Sequence, residues 1–202
     1  PVSPGAGTRT GTVDFRDNGT TITGCGSATV AANGQATCTT STFAVGNHPI
    51  TAQYSGDGNF NGSSGTLTNN PQVVNKANVT IALIITPNPA AVGQSVSFTA
   101  NLTVTSPGNG TPTGTVQFKA DGNNIGSVVS LTTALNAGSA QLNNSSLTAG
   151  AHSITAEYSG DGNFATAVNN PATTLNIFAP PTVGKAFGAS TISPNAVTTM
   201  TF

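Results

Sequence analysis

The sequence of 202 residues has little charge, no tryptophan and only two cysteines. Five Lys and Arg residues stand against six Asp and Glu residues, which gives a net charge of -1. So few basic residues provide no electrostatic footprint for nucleic acid or for an anionic membrane surface. So few ionisable groups also leave little material for acid–base chemistry. We therefore expect a protein that is not an enzyme, binds no nucleic acid and needs no cofactor.

Long apolar runs are also missing. The longest purely apolar stretch is Ile81–Ile85, whereas a membrane-spanning helix needs about 20 residues, and so we expect no membrane insertion. The sequence does not start with a signal peptide or with a methionine. This start predicts a mature product or a window from a longer protein.

The residues that are abundant favour β-structure. Hydrophobic residues make up 36% of the chain, and this content, together with the low net charge, separates it from disordered sequences. Thr, which is frequent, favours strands, while Asn and the 24 glycines favour tight turns. Strong helix formers are scarce, and no segment keeps a helical apolar period. The composition predicts an all-β fold.

Comparison of the sequence with itself shows an internal repeat. Residues 11–15, Gly-Thr-Val-Asp-Phe, correspond to residues 114–118, Gly-Thr-Val-Gln-Phe. Residues 48–60 correspond to residues 152–164, and both segments end in Tyr-Ser-Gly-Asp-Gly-Asn-Phe. The period is about 100 residues, which is the size of one sandwich domain.

Strands within the repeat follow from alternating apolar residues. Roughly seven strands separated by turn signals are expected in one repeat, which is the pattern of a β-sandwich. The last of these strands is predicted over residues 173–178. The alternation is clearest in the first two strands, at Val79, Ile81, Leu83 and Ile85 and then at Val96, Phe98 and Ala100.

The repeats are out of phase with the ends of the sequence. Residues 76–178 form a complete repeat, whereas residues 1–75 are predicted to lack their first two strands, because Pro1 aligns with Val104. Residues 179–202 resemble the opening strands of a further repeat. A sandwich without two strands would expose an apolar face, and so the first repeat needs strands from outside residues 1–75.

Three interpretations of this phase remain open. The chain is a window of a longer repeat protein, or the C-terminal segment of one subunit completes the next, or the ends are frayed. In the second case the subunits add head to tail and build an open filament. The candidate donor residues are Ile192, Val197, Met200 and Phe202.

Several motifs resemble the bacterial Ig-like repeats of large surface proteins and adhesins. They are Pro-Asn-Pro-Ala-Ala-Val-Gly-Gln-Ser-Val at residues 87–96, Gly-Thr-Val-x-Phe at 11–15 and 114–118, and Tyr-Ser-Gly-Asp-Gly-Asn-Phe at 54–60 and 158–164. The resemblance implies tandem Ig-like β-sandwiches in an extracellular or cell-surface protein. It implies a stalk or fibre whose partners are neighbouring repeats or identical subunits.

Two other functions remain open at this point. An adhesin module would recognise a surface glycan or a protein through loops at one end of the sandwich. An accessory domain would serve a secreted hydrolase whose catalytic domain lies elsewhere. The sequence places no two carboxylates in a pattern that suggests a glycosidase.

Cys25 and Cys38 align with Val128 and Leu142 of the second copy, on either side of the turn at residues 32–34. An antiparallel hairpin there would bring the two sulfurs together. A disulfide suits an exported protein and would hold the incomplete repeat together. The alternative is two free, half-buried thiols that pack as small apolar residues.

The histidines and the loop aspartates are the remaining candidates for chemistry. His48 and His152 occupy equivalent positions, and neither has a carboxylate or a nucleophile nearby in the sequence, which favours a structural role. Asp57 and Asp161 lie in Ser-Gly-Asp-Gly-Asn loops and are weak candidates for calcium ligands. Turns stabilised by the Asp side chains are the alternative. No metal site is expected.

Aromatic side chains are expected to form the core of both repeats. Each Tyr lies on the same strand face as apolar neighbours, which predicts a buried ring with a hydrogen-bonded hydroxyl. The predicted core residues are Phe15, Tyr54, Phe60, Phe98, Phe118, Tyr158 and Phe164.

Overall fold

The computed structural model describes residues 7–182 and the backbone at 186–187 and 200–201. All regular structure in this part of the chain is β-strand, as predicted. Within it, no helix is long and apolar enough to cross a membrane.

The chain divides into two compact units. The first unit consists of Pro1–Ala77 with Gly162–Phe164, and the second consists of Asn78–Asp161 with Ala165–Phe202. The strands of the first unit are β1 (Thr12–Asp17), β2 (Thr20–Thr21), β3 (Ala28–Thr29), β4 (Gly46–His48), β5 (Ile50–Tyr54), β6 (Ser63–Thr66) and β7 (Gln72–Val74).

One sheet dominates the first unit. Its strand order is β2-β1-β5-β6, with β3 also paired to β1, and β4 and β7 form a separate pair. The long central pairing joins β1 to β5, with Val13 opposite Tyr54 and Phe15 opposite Ala52. Alternate residues of these strands therefore place Val13, Phe15, Ala52 and Tyr54 on one face of the sheet.

The second unit contains two sheets. Its strands are β8 (Val79–Thr86), β9 (Ala90–Ala91), β10 (Val96–Val104), β11 (Thr115–Ala120), β12 (Asn123–Asn124), β13 (Val129–Ser130), β14 (Thr132–Ala134), β15 (Ala137–Asn144), β16 (Gly150–Tyr158), β17 (Ala167–Val168) and β18 (Thr173–Phe178). One sheet has the order β14-β15-β10-β8. The other has the order β12-β11-β16-β18-β9, with β13 on β11 and β17 on β16.

The two sheets of the second unit form an immunoglobulin-like sandwich. The rings of Phe98 on β10 and Phe118 on β11 meet between the sheets with their centroids 6.2 Å apart. Both side chains are 0% exposed. The apolar positions of β8 alternate as predicted, since Val79 is buried and its neighbour Thr80 is exposed. The strand predicted over residues 173–178 coincides with β18.

A two-residue turn joins β11 to β12. Asp121 and Gly122 both have positive φ, at 52° and 82°. Paired positive φ values belong to the type I′ turn, which fits the twist of a hairpin and favours an Asp-Gly sequence. This turn places the Asp121 carboxylate at one end of the sheet.

Two short strands follow near the C-terminus. They are β19 (Ala186–Phe187) and β20 (Met200–Thr201), and they pair antiparallel. Three of the candidate donor residues, Ile192, Val197 and Phe202, lie outside the described residues, whereas Met200 belongs to β20.

Candidate functional site

The apolar sheet face of the first unit has a matched counterpart in the second. In the second unit Val116 lies opposite Tyr158 and Phe118 opposite Ala156, in the same register as β1 and β5. These four side chains are at most 2% exposed. Their counterparts in the first unit are all only half-buried: Val13, Phe15, Ala52 and Tyr54.

The difference in burial follows from the opposing sheet. In the second unit the sheet β14-β15-β10-β8 covers this face. Among the described residues of the first unit, none forms a strand corresponding to β8, β10, β14 or β15. The same kinds of side chain are therefore fully covered in one unit and partly open to solvent in the other.

The prediction of an antiparallel hairpin on either side of residues 32–34 is wrong. The turn itself is present, but residues 35–45 form no strand. Their counterpart in the second unit, β15, pairs with β10 over eight residue pairs. The corresponding segment of the first unit has no such partner among the described residues, and so it has no ladder to join.

Residues 34–40 nevertheless keep the alternation of a strand. Gly34, Ala36, Cys38 and Thr40 are half-buried, and the residues between them are exposed. Between Ala36 and Phe43 the described chain contains no hydrogen bond from one backbone group to another. We call residues 34–40 the open edge. The turn engages the backbone of Gly34 and Gln35, whereas residues 36–40 make no described bond from one backbone group to another and can pair with a strand.

Cys25 and Cys38 form a disulfide with their Cα atoms 5.6 Å apart. The Cys25 carbonyl accepts a hydrogen bond from the Phe15 amide in β1, at 3.0 Å. Cys38 lies in the open edge. The bond therefore fastens the open edge to the sheet of the first unit.

The two histidines make the same pair of contacts. His48 Nδ1 lies 2.6 Å from Asp17 Oδ2, and its Nε2 lies 2.9 Å from the Ala44 carbonyl. His152 Nδ1 lies 2.7 Å from Asp121 Oδ2, and its Nε2 lies 2.9 Å from the Thr148 carbonyl. Carboxylate and carbonyl oxygens only accept hydrogen bonds, and so the protonated ring, with two donors, satisfies both contacts.

These contacts favour the protonated form of both histidine rings. The hydrogen bond to Asp17, followed by the one to the Ala44 carbonyl, raises the pKa of His48 above 6.5. For His152 the Thr148 carbonyl contributes most to the raised pKa, and Asp121 follows. The hydrogen bond from His152 in turn lowers the pKa of Asp121 below 3.8. Because both ring nitrogens are engaged, neither is free to act as a general base.

We expect the His152–Asp121 contact to stabilise the second unit most between pH 3.8 and 6.5. The raised pKa of His152 gives stability that is complete below 6.5 and is lost as the pH rises through the pKa of the folded state. The lowered pKa of Asp121 gives stability that is complete above 3.8 and is lost as the pH falls through its folded value.

NMR titration of the two histidine rings tests this expectation. Asp121→Asn should return the pKa of His152 toward 6.5 and leave that of His48 raised, and Asp17→Asn should do the reverse. Because the contact with the Thr148 carbonyl remains in Asp121→Asn, the pKa of His152 should fall only part of the way. A pKa of His152 that is the same in Asp121→Asn as in the wild type would contradict the assignment.

Asp57 and Asp161 organise equivalent loops. Asp57 accepts hydrogen bonds from the amide and hydroxyl of Thr10 and from the amides of Asn59 and Phe60. These donors, led by the Thr10 amide, lower the pKa of Asp57. Asp161 accepts from the amide and hydroxyl of Thr113 in the same way. Within the described ranges no three His, Cys, Asp or Glu side chains cluster as a metal ion would require.

The tyrosine hydroxyls take part in the same loops. Tyr54 donates to the Thr10 carbonyl and Tyr158 donates to the Thr113 carbonyl, each at 2.6 Å. Burial, together with the nearby Asp161 carboxylate, raises the pKa of Tyr158 to about 12. Of the remaining predicted core residues, Phe164 is 1% exposed, and Phe60 is half-buried.

The match to a protein family identifies the kind of domain. Residues 1–74 and 83–177 match the model of the bacterial Ig-like domain (group 3) family. Among solved structures, the fibronectin(III)-like modules of Clostridium thermocellum CbhA are 18% identical to this chain, with a TM-score of 0.32. That alignment covers 86% of this chain and 80% of the other. No curated protein matches the sequence.

Proposed function

Because the chain belongs to the bacterial Ig-like domain (group 3) family, we propose that it serves in an extracellular stalk or fibre of β-sandwich repeats in series. In this proposal the first repeat is completed by strands from outside residues 1–75. The observation that carries it is the half-buried face of the first unit, whose counterpart in the second unit is covered by a whole sheet.

The burial of apolar surface supplies the driving force for such a series. An apolar face in water costs about 25 cal/mol for each Å² that a neighbouring strand could cover. Phe15 is the largest side chain on this face, and its counterpart Phe118 is completely buried. Strands that complete the first repeat would bury Phe15 as fully, which favours continuous repeats over isolated ones.

The composition and the disulfide support an extracellular location. Charged residues make up only 5% of the chain, and so its surface offers little attraction to charged partners. Disulfides persist in oxidising compartments such as the cell surface and are rare in the cytosol. The Cys25–Cys38 bond therefore suits an exported spacer.

A covalent tandem of two copies tests the series. Phe202 corresponds to Phe98 and Pro1 to Val104, and so a linker that copies residues 99–103 supplies the counterparts that are missing between them. We expect the amides of the open edge in the second copy to exchange with solvent at least tenfold more slowly than in a single chain, on the order expected for a paired strand. Hydrogen exchange with mass spectrometry measures this.

A tandem with an altered linker is the matched control. In its linker the positions that copy Ala100 and Leu102, which are buried in β10, carry Asp instead. Buried, unpaired charges should prevent completion of the sandwich and abolish the protection. If the unaltered tandem exchanges as fast as the single chain, the proposal of repeats in series is wrong.

A further inference from the structure

The counterpart of the open edge in the second unit has a defined partner. Cys38 corresponds to Leu142 in β15 and has the same half-buried orientation. Leu142 lies opposite Phe98, and the next two residues of β15 lie opposite Ser97 and Val96 at the start of β10. A strand that completes the first unit should therefore place its first residues against residues 38–40.

The C-terminal segment contains a strand of the required kind. The sequence Thr199-Met-Thr-Phe202 resembles the start of β10, and Ile192-Ser-Pro-Asn195 resembles the end of β8 and the residues after it. Met200 and Thr201 form the strand β20, which pairs antiparallel with β19. The register differs from that of β8 and β10, since Thr201 lies opposite Ala186, whereas its counterpart Ser97 lies opposite Thr86 at the end of β8.

We propose that residues 38–40, held to the first unit by the Cys25–Cys38 disulfide, are the edge on which β20 of a second copy adds antiparallel. Met200 then lies opposite Thr40, and Thr201 opposite Thr39. This inference rests on the proposed function and names the neighbour that completes the first repeat. Each copy offers one edge and one strand, and so the contact is head to tail and does not close a dimer.

The disulfide prepares the edge for its partner. Ordering a free segment costs about 1–2 kcal/mol for each residue whose backbone is fixed. The disulfide ties Cys38 to the sheet, and residues 34–40 already alternate as β15 does. The incoming strand therefore meets a partly ordered edge with free backbone groups, as in other cases of strand addition.

Two variants of the full chain test this contact. Thr39→Pro/Thr40→Pro removes the backbone donor that faces a partner strand, because one of these two adjacent amides points to each side of the edge. No described bond between two backbone groups is lost, whereas the contacts of the Thr40 hydroxyl with Thr42 are. Met200→Pro/Thr201→Pro removes two donors from β20. We expect the wild type to form ordered filaments by electron microscopy, and each variant alone to remain a single chain of 19.9 kDa by light scattering.

A mixture of the two variants gives the decisive result. The edge variant keeps an intact β20, and the strand variant keeps an intact edge. We expect the 1:1 mixture to form a species of two chains that grows no further. That outcome also excludes misfolding as the reason why each variant fails to assemble. A mixture that stays monomeric would overturn the proposal, and so would filaments formed by either variant alone.

The wild type provides the remaining test. The inference is wrong if the wild type is a monomer whose residues 36–43 exchange rapidly. It is also wrong if the wild type is a monomer in which its own C-terminal segment protects these residues, because no second copy then pairs with the edge. The tandem protein separates this failure from that of the proposed function. If the tandem shows protection but single chains do not assemble, the proposal of repeats in series still holds. Only the inference that a second copy supplies the strand is then wrong.

Discussion

Replacing Phe118 by Ala should destabilise the second unit by about 3–5 kcal/mol, the usual cost of removing a buried aromatic ring. The matched change, Phe15→Ala, should cost the first unit on the order of 1 kcal/mol, because a half-buried ring loses fewer contacts and leaves no closed cavity. The two rings occupy equivalent positions, opposite Ala156 and Ala52. The comparison therefore isolates the effect of the opposing sheet.

Hydrogen exchange at increasing urea concentrations measures the two losses separately. Peptides that cover β11 report on the second unit, and those that cover β1 report on the first. Each variant should change the exchange of its own unit only. Equal losses in a dilute single chain would show that the face around Phe15 is closed in solution, against the half-burial of Val13, Phe15 and Tyr54.

The same pair of variants responds to assembly. Once strands from a neighbour cover the first unit, Phe15 should become as buried as Phe118, and the cost of Phe15→Ala should approach that of Phe118→Ala. The tandem protein provides this state without a need for filaments. A cost that stays near 1 kcal/mol in the tandem, the order expected for a half-exposed side chain, would contradict completion of the first repeat.

The sandwich could be predicted from the sequence because strands of period two carry their own signal. The alternation in β8 and the Asp121-Gly122 turn depend on neighbours in sequence, and both are present in the structure. The hairpin around residues 32–34 was predicted wrongly for a different reason. A strand needs a partner, and β15 pairs with β14 on one side and β10 on the other. The first unit has no counterpart of either strand among its described residues.

The histidine contacts depend on distant residues and could not be predicted. Each histidine lies 31 residues from its carboxylate. The acids are not equivalent by position, since Asp17 ends β1, whereas Asp121 follows β11. An alignment of the two copies therefore does not pair them. The equal spacing from each Asp to its His was the available signal. It indicates a contact only when β1 and β5 are known to be neighbours.

Removal of the disulfide should have the largest effect on the first unit. Cys25 and Cys38 are 13 residues apart, and closing a loop of about 15 residues stabilises a fold by about 3 kcal/mol. Small domains have only about 5–15 kcal/mol of stability in total. The first unit also lacks the cover of a second sheet among the described residues. We therefore expect reduction, or Cys25→Ala/Cys38→Ala, to release the open edge and to leave the first unit close to unfolding.

The second unit serves as the internal control for this change. It contains no cysteine, and so the exchange of β11 and β16 should be the same with and without reductant. The exchange of β1 and β5 should accelerate by on the order of 100-fold, which corresponds to a loss of about 3 kcal/mol when opening is global. In the tandem, strands from the first copy hold the open edge of the second copy independently of the disulfide, and the acceleration there should be smaller. If β1 and β5 exchange equally in both redox states, the disulfide does not support the first unit, and the role assigned to it at the assembly edge is lost as well.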